Sequence, residues 1–355
     1  MSTQKKNTTP TGGLLERLGK GSVLCAEGYL FELERRGYLK AGAYVPEVVL
    51  DNPEAVKELH REFLKAGSDV ILAFTYYAHR DKLKVIGREA DLEKLNRQAL
   101  QLAKEVADEG NALLAGNICN TWVYDPADKN KTSKTVREMY EEQVGWADDA
   151  GADFVIAETL DYLAEAEIAL EVIKKHNLPA VITFSNTLYE DKTLDGYDII
   201  EACKILHEKG ADVVGLNCSV RPKTMLPLLK RLKKEVNGYT AALPVAYRTT
   251  DEHHMWDLQH NGRPSFPTAL DPHTCTRDEM ANFTKQANDI GIEYIGICCG
   301  GAPHHVRSMA EALGRTPESS RYSADIHLHG AFGDKDNVVK KHEDRDKKVH
   351  RDAKS

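Results

Sequence analysis

The chain has 355 residues, 41% hydrophobic and 29% charged. That is ordinary for a soluble globular protein and enough for one large α/β barrel or two ordinary domains. Its formal net charge of −8 and pI near 6.0 argue against a general nucleic-acid or anionic-membrane binder, which needs a basic face. No apolar run is long enough to span a membrane. Seven cysteines, an odd number in a chain with no export signal, fit reduced thiols in the cytoplasm better than a disulfide framework.

Residues 1–13 are polar, rich in Thr, Lys and Gly, and read as a flexible leader. A short helix is expected over Leu14 to Leu18 and a brief strand over Val23 to Cys25, ending in Ala26-Glu27-Gly28. The helical stretch from Phe31 to Arg36 closes at Gly37. An amphipathic helix from Pro53 to Ala66 carries Val56, Leu59, Phe63 and Leu64 at helical spacing and closes at Gly67. Asp69 to Tyr77 reads as the second strand. The alternation then repeats, with strands expected over Ala112 to Asn117, Phe154 to Glu158, Ala180 to Phe184, Val213 to Asn217, Pro244 to Tyr247 and Tyr294 to Ile297. The intervening helices run over Leu92 to Ala107, Val136 to Ala150, Ala164 to Lys175, Tyr197 to Lys209, Met225 to Val236 and Met280 to Ile290. Val306 to Leu313 is the last helix.

Eight short, nearly all-apolar strands alternating with helices indicate a parallel sheet buried on both faces, closed as a single-domain (β/α)8 barrel over residues 14–318. Gly-x-Asp before three of the strands, at Gly67, Gly151 and Gly210, marks matching αβ turns. An open doubly wound sheet is the alternative, but no Gly-x-Gly-x-x-Gly follows the first strand. The stretch from Tyr124 to Lys134 reads as a polar rim loop. Residues 251–272, with His253, His254, Trp256 and three prolines, read as a long loop of the kind that covers a site. Residues 319–355 read as a polar tail, disordered or frayed from Asp334 onward.

A barrel places its reacting groups at the C-terminal ends of the strands. The residues expected there are Glu27, Tyr76, Tyr77, Asn117, Glu158, Asn186, Asn217, Cys218, Tyr247, Cys298 and Cys299. Cys298-Cys299-Gly300-Gly301 follows the last strand. Adjacent cysteines close a strained disulfide ring, but both can hold one soft metal ion while the glycines let the backbone turn around it. Cys218 supplies a third sulfur. Three thiolates with an open fourth position form a catalytic zinc site suited to a sulfur substrate. Cysteines in pairs are also ordinary small core residues, and His304 and His305 are competing ligands that a helix start would use for capping instead.

A thiol brought to such an ion loses its proton and stays nucleophilic at neutral pH. The net charge of −1 on Zn2+ with three thiolates favours a cationic donor. Glu158 is placed to bind a substrate amino group, or else to form a rim salt bridge. Tyr44, Tyr76, Tyr77 and Tyr247 are candidates for an aromatic cage around a methylated cation, each being also an ordinary packing residue. A zinc hydrolase with metal-bound water usually uses His and Asp ligands, so the three cysteines disfavour it. A non-catalytic thiol-binding protein is a third reading.

The Gly-x-Asn-Cys run Gly215-Leu216-Asn217-Cys218 and the run Gly296-Ile297-Cys298-Cys299-Gly300 resemble the metal signature of the zinc-dependent homocysteine S-methyltransferase family. The resemblance covers Leu14 to Leu313. Within the family the chain is most similar to its betaine-using members, through residues 34–42, 60–64, 74–78 and 107–110. The resemblance implies a (β/α)8 barrel that moves a methyl group from betaine to the zinc-bound thiolate of homocysteine, giving methionine. It implies Cys218, Cys298 and Cys299 as ligands, Glu158 as a homocysteine contact and Tyr77 as a donor contact. Substrate contacts are expected from Glu27, Gly28, Tyr44, Asn217 and Tyr247 as well, with Glu27 and Glu158 as the catalytic carboxylates.

Three departures stand out. Ala26-Glu27-Gly28 replaces the family's Asp-Gly-Gly or Asp-Gly-Ala, so the carboxylate has moved one place to Glu27. Tyr44 stands where the betaine enzymes have tryptophan, and Thr159 where they have tyrosine. These changes leave a sulfonium donor such as dimethylsulfoniopropionate or S-methylmethionine as the alternative. The animal betaine enzymes build a tetramer with a longer C-terminal arm, so a dimer or monomer is expected here.

Overall fold

A computed structural model of the protein describes residues 12–185, 191–250, 252–334 and 339–349. The first eleven positions of the expected leader, together with Asn186, lie outside the described residues. Eight parallel strands form a closed barrel: Val23–Ala26, Val70–Leu72, Leu113–Cys119, Phe154–Leu160, Ala180–Ser185, Val213–Asn217, Tyr239–Leu243 and Tyr294–Ile297. The first and last strands close it in parallel register, from Val23 opposite Tyr294 to Ala26 opposite Ile297. Each strand is followed by an outer helix: Pro53–Ala66, Leu92–Gly110, Lys129–Asp149, Leu163–Lys175, Ile199–Glu208, Pro222–Glu235, Arg277–Ile290 and Pro303–Ala312. The expected (β/α)8 barrel is therefore the observed architecture.

Short apolar runs make these strands because neither face of a barrel strand meets water. Every residue of the third, fourth, fifth, sixth and eighth strands is buried. The helices present one apolar face to this cylinder, as in Pro53–Ala66, which buries Val56, Leu59, Phe63 and Ala66 and ends at Gly67 in the left-handed conformation.

Four expectations are corrected. The seventh strand is Tyr239–Leu243, not residues 244–247. Pro244 has no N–H for the ladder, and Ala246 N–H instead donates to Cys299 O at 2.8 Å, so the apolar run is a rim segment. The second strand stops at Leu72, and residues 73–77 are irregular, with Tyr77 left-handed at φ 59°. The polar stretch 124–134 is only partly loop, because a turn at Pro126–Asp128 leads into helix at Lys129. In the tail, Lys340–Val349 is helical.

By internal contacts the chain parts into two compact units between Glu318 and Ser319. Within the long insertion, Gln259–His260 and Arg263–Pro264 form a small antiparallel hairpin.

Candidate metal and substrate site

Asn217 ends the sixth strand, and Cys218 follows it in the left-handed region (φ 59°), as does Ser219 (φ 62°). Left-handed backbone in a non-glycine residue costs of order 1 kcal/mol or more and gathers at functional sites. Here the turn brings the Cys218 sulfur to 3.6 Å from that of Cys299, which lies 4.0 Å from Cys298 Sγ. All three sulfurs lie within 4.8 Å of one another.

The glycines beside them are required by close approach. A side chain on Gly28 would begin 2.0 Å from Gly301 O, and one on Gly300 would begin 2.5 Å from the Tyr247 ring. Gly300 is also left-handed, at φ 78°. Gly28 thus lets the first strand's end pack against the cysteine loop. The hydrogen bonds from Cys298 and Cys299 pull the Cys218 thiol well below its ordinary value, while both of those thiols are pushed up. A soft dication suits three such sulfur donors.

A second group adjoins it. Carboxyl oxygens of Glu27 and Glu158 lie with Cys298 Sγ inside the same 4.8 Å limit. Both carboxylates are buried, and burial pushes both up, helped at Glu27 by the charge of Glu158. Glu158 is held by Asn117 Nδ2 at 2.6 Å and by Asn217 Nδ2 at 3.1 Å. Asn217 also accepts from Thr159 N–H at 2.8 Å and donates to Thr159 Oγ1 at 2.8 Å, fixing that residue at φ 57°. Glu27 accepts from no donor among the described residues. Two buried carboxyl groups this close form a ready seat for an ammonium group.

The four tyrosines fall into two ring groups. Tyr44 packs on Phe31 and Phe266 with ring centres 5.7 and 5.9 Å away, and Phe31 also meets Tyr247 at 6.0 Å. Phe266 comes from the long insertion, which therefore contributes to this wall. Arg35 donates to Tyr247 OH at 2.8 Å. Burial pushes the Tyr44 and Tyr247 hydroxyls up, and the charge of Cys299 adds to it. Tyr76 and Tyr77 form the other group, 4.2 Å apart, with Trp122 6.3 Å from Tyr77. Burial also pushes Tyr76 up, with Cys218 and Glu158 among the contributing charges.

His305 is not placed to bind an ion. Its Nε2 lies 2.8 Å from Cys275 O and its Nδ1 accepts from Ala302 N–H, which makes it a buried structural residue. His254 packs against Trp256 at 5.4 Å. Arg35, Lys82 and Trp122 were not among the residues singled out from the sequence. Each reaches the site through a tertiary contact that no motif records.

A family model for homocysteine S-methyltransferase matches residues 27–313. The chain is similar to betaine–homocysteine S-methyltransferase 1 of Xenopus tropicalis, 37% identical over 91% of this chain and 81% of the relative. It is 35% identical to S-methylmethionine–homocysteine S-methyltransferase of Pongo abelii, over 90% of this chain and 86% of the relative. Among solved structures it resembles the metallated form of the homocysteine methyltransferase MmuM from Escherichia coli. The TM-score is 0.66 at 20% identity, over 83% of this chain and 98% of that one, a likeness of fold.

Proposed function

The chain belongs to the homocysteine S-methyltransferase family, and we propose that it moves a methyl group from betaine, or a related onium donor, to the sulfur of homocysteine, giving methionine. The observation that carries this is the convergence of Cys218, Cys298 and Cys299 beside two buried carboxyl groups at the barrel's C-terminal rim. The donor set fits a zinc ion, held by those three sulfurs. When bound, such an ion lowers the pKa of a substrate thiol and so supplies a nucleophile at neutral pH.

The protein's own groups do the rest. Glu158 and Glu27 receive the amino group of homocysteine, and Asn117 and Asn217 hold Glu158 in place for it. Gly28 lets the end of the first strand pack against the loop that carries Cys298 and Cys299. Tyr44, Tyr77 and Tyr247 line the path of the cationic donor, whose charge is drawn to an anionic centre and whose leaving group departs neutral. Burial of the centre keeps water from competing for the methyl group. All seven cysteines are free thiols, which suits a reducing cytoplasm. No described helix is long and apolar enough to cross a membrane.

The test is methionine formation from L-homocysteine by zinc-loaded protein, with glycine betaine, dimethylsulfoniopropionate and S-methylmethionine run side by side. Turnover with betaine is the expected result. Preference for a sulfonium would assign Tyr44 and Thr159 to a re-tuned donor pocket. Absence of methionine with all three would overturn the proposal.

A further inference from the structure

Lys82 lies on the short helix Arg80–Val85, and its ammonium sits 4.3 Å from the centre of the Tyr77 ring and 4.0 Å from that of Trp122. The two rings meet at 84°, and Trp122 Nε1 donates to Tyr77 OH at 3.0 Å. Tyr77 and Trp122 are both left-handed, at φ 59° and 62°. The seat is thus built by two strained residues from the segments that follow neighbouring strands, and it holds the ammonium between two π faces.

Other half-buried lysines meet a carboxylate, as Lys57 meets Glu105 and Lys233 meets Glu293. No carboxylate among the described residues pairs with Lys82, although the chain carries a net charge of −8. Burial draws the ammonium below its usual value, with only Cys119 opposing. The rings contribute quadrupole attraction but accept no N–H in the plane of a carboxylate. Donors on this ammonium therefore remain for an anion.

Position gives that anion an identity. The Tyr77 ring meets that of Tyr76 at a tilt of 41° and 4.2 Å between centres, and the charges of Cys218 and Glu158 act on Tyr76. Moving outward from the sulfurs, the rim is thus anionic first, then aromatic, then cationic at Lys82. A molecule with an onium at one end and a carboxylate a few bonds away matches this order of charges in one orientation, which points the onium methyl inward. We propose that Lys82 receives the carboxylate of the methyl donor, so that the site selects onium donors bearing a carboxylate. This rests on the methyl-transfer reading above.

Initial rates of the zinc-loaded enzyme with L-homocysteine test it. KM for glycine betaine and the inhibition constant of tetramethylammonium against it are measured for wild type, Lys82→Met and Lys82→Arg. Loss of a charge-assisted contact predicts that Lys82→Met raises KM about tenfold or more, with kcat within about threefold and tetramethylammonium inhibition unchanged. Lys82→Arg restores most of the affinity. The proposal is overturned if KM and the inhibition constant rise together, or if KM falls because Lys82 merely fills a seat meant for the onium. A wild type that forms no methionine with any onium donor overturns the function proposed above, and this inference with it.

Discussion

The two rims of the barrel are built on opposite principles. At the N-terminal rim an acidic residue before one strand clamps the start of its neighbour. Asp69 donates its N–H to Leu24 O and accepts Leu24 N–H on its carboxylate, both at 2.8 Å. Asp153 does the same with Leu114, and Asp212 with Ala180. Glu293 accepts both N–H and Oγ1–H of Thr240 at 3.0 Å. Arg315, Lys174 and Lys233 neutralise three of these carboxylates. At the C-terminal rim the side chains face one another instead. Glu27 has no donor, and Asn117 Oδ1, Thr183 Oγ1 and Tyr44 OH meet no partner among the described residues. Tyr44, Tyr77, Trp122, Thr159, Cys218 and Ser219 there are left-handed. One rim clamps neighbouring strand starts through these carboxylates and holds the cylinder shut. The other keeps strain and unmet polar groups for a ligand to use.

That contrast can be broken by mutation. The largest effect is predicted for Cys298→Ser or Cys218→Ser. Outer-shell partners alone command 10–100-fold in metal affinity, so loss of a ligand should weaken zinc by about 100-fold or more, as measured by metal content after dialysis against a chelator. Unchanged zinc in both variants would remove the sulfurs from the site. Next is Asn217→Ala, which releases Glu158 and Thr159. We predict a fall of about 10–100-fold in kcat/KM for homocysteine, with the fold retained by circular dichroism.

At the other rim, Asp69→Ala orphans Leu24 N–H and removes the carboxylate partner of Arg315, which among the described residues keeps only its contact to Ser22 O. It should cost about 1–3 kcal/mol of stability in urea unfolding while leaving activity per folded molecule unchanged. A loss of turnover without a loss of stability would contradict the division between rims.

The smallest effect belongs to neither rim. His60, buried on the first outer helix, contacts Tyr29 OH through Nδ1, and burial lowers its pKa to about 3. The unfolded chain takes up that proton near its ordinary value of about 6.5. Stability is therefore full above that pH and declines as pH falls toward 3. This one group accounts for up to about 2 kcal/mol by about pH 5. His60→Gln should flatten that slope, and an unchanged slope would place the acid sensitivity elsewhere.

The sequence made the clamped rim legible almost in full. Gly-x-Asp turns and short apolar runs reflect requirements that repeat around the barrel, left-handed closure of a helix and then burial on both faces. The three cysteines were legible because Cys218 and Cys298 directly follow strands and Cys299 adjoins Cys298, where position on the rim is fixed by topology. The seventh strand was misplaced because Thr240 and two alanines interrupt the large apolar residues of 239–243, while Pro-Val-Ala-Tyr beside them carries no polar side chain of that kind. The division of the tyrosines into two groups and the Lys82 seat could not be read from spacing. They depend on which rings meet across different strands and on left-handed residues at Tyr77 and Trp122 that no turn signal announces.

The most direct test of the account is the absorption of the cobalt(II)-substituted protein. Thiolate-to-cobalt absorption is predicted in the wild type, growing when L-homocysteine is added and staying constant with L-methionine. It should be lost or strongly reduced in Cys298→Ser. A cobalt spectrum without thiolate character, or one indifferent to homocysteine, would contradict the assignment of the three sulfurs as the substrate-binding metal site.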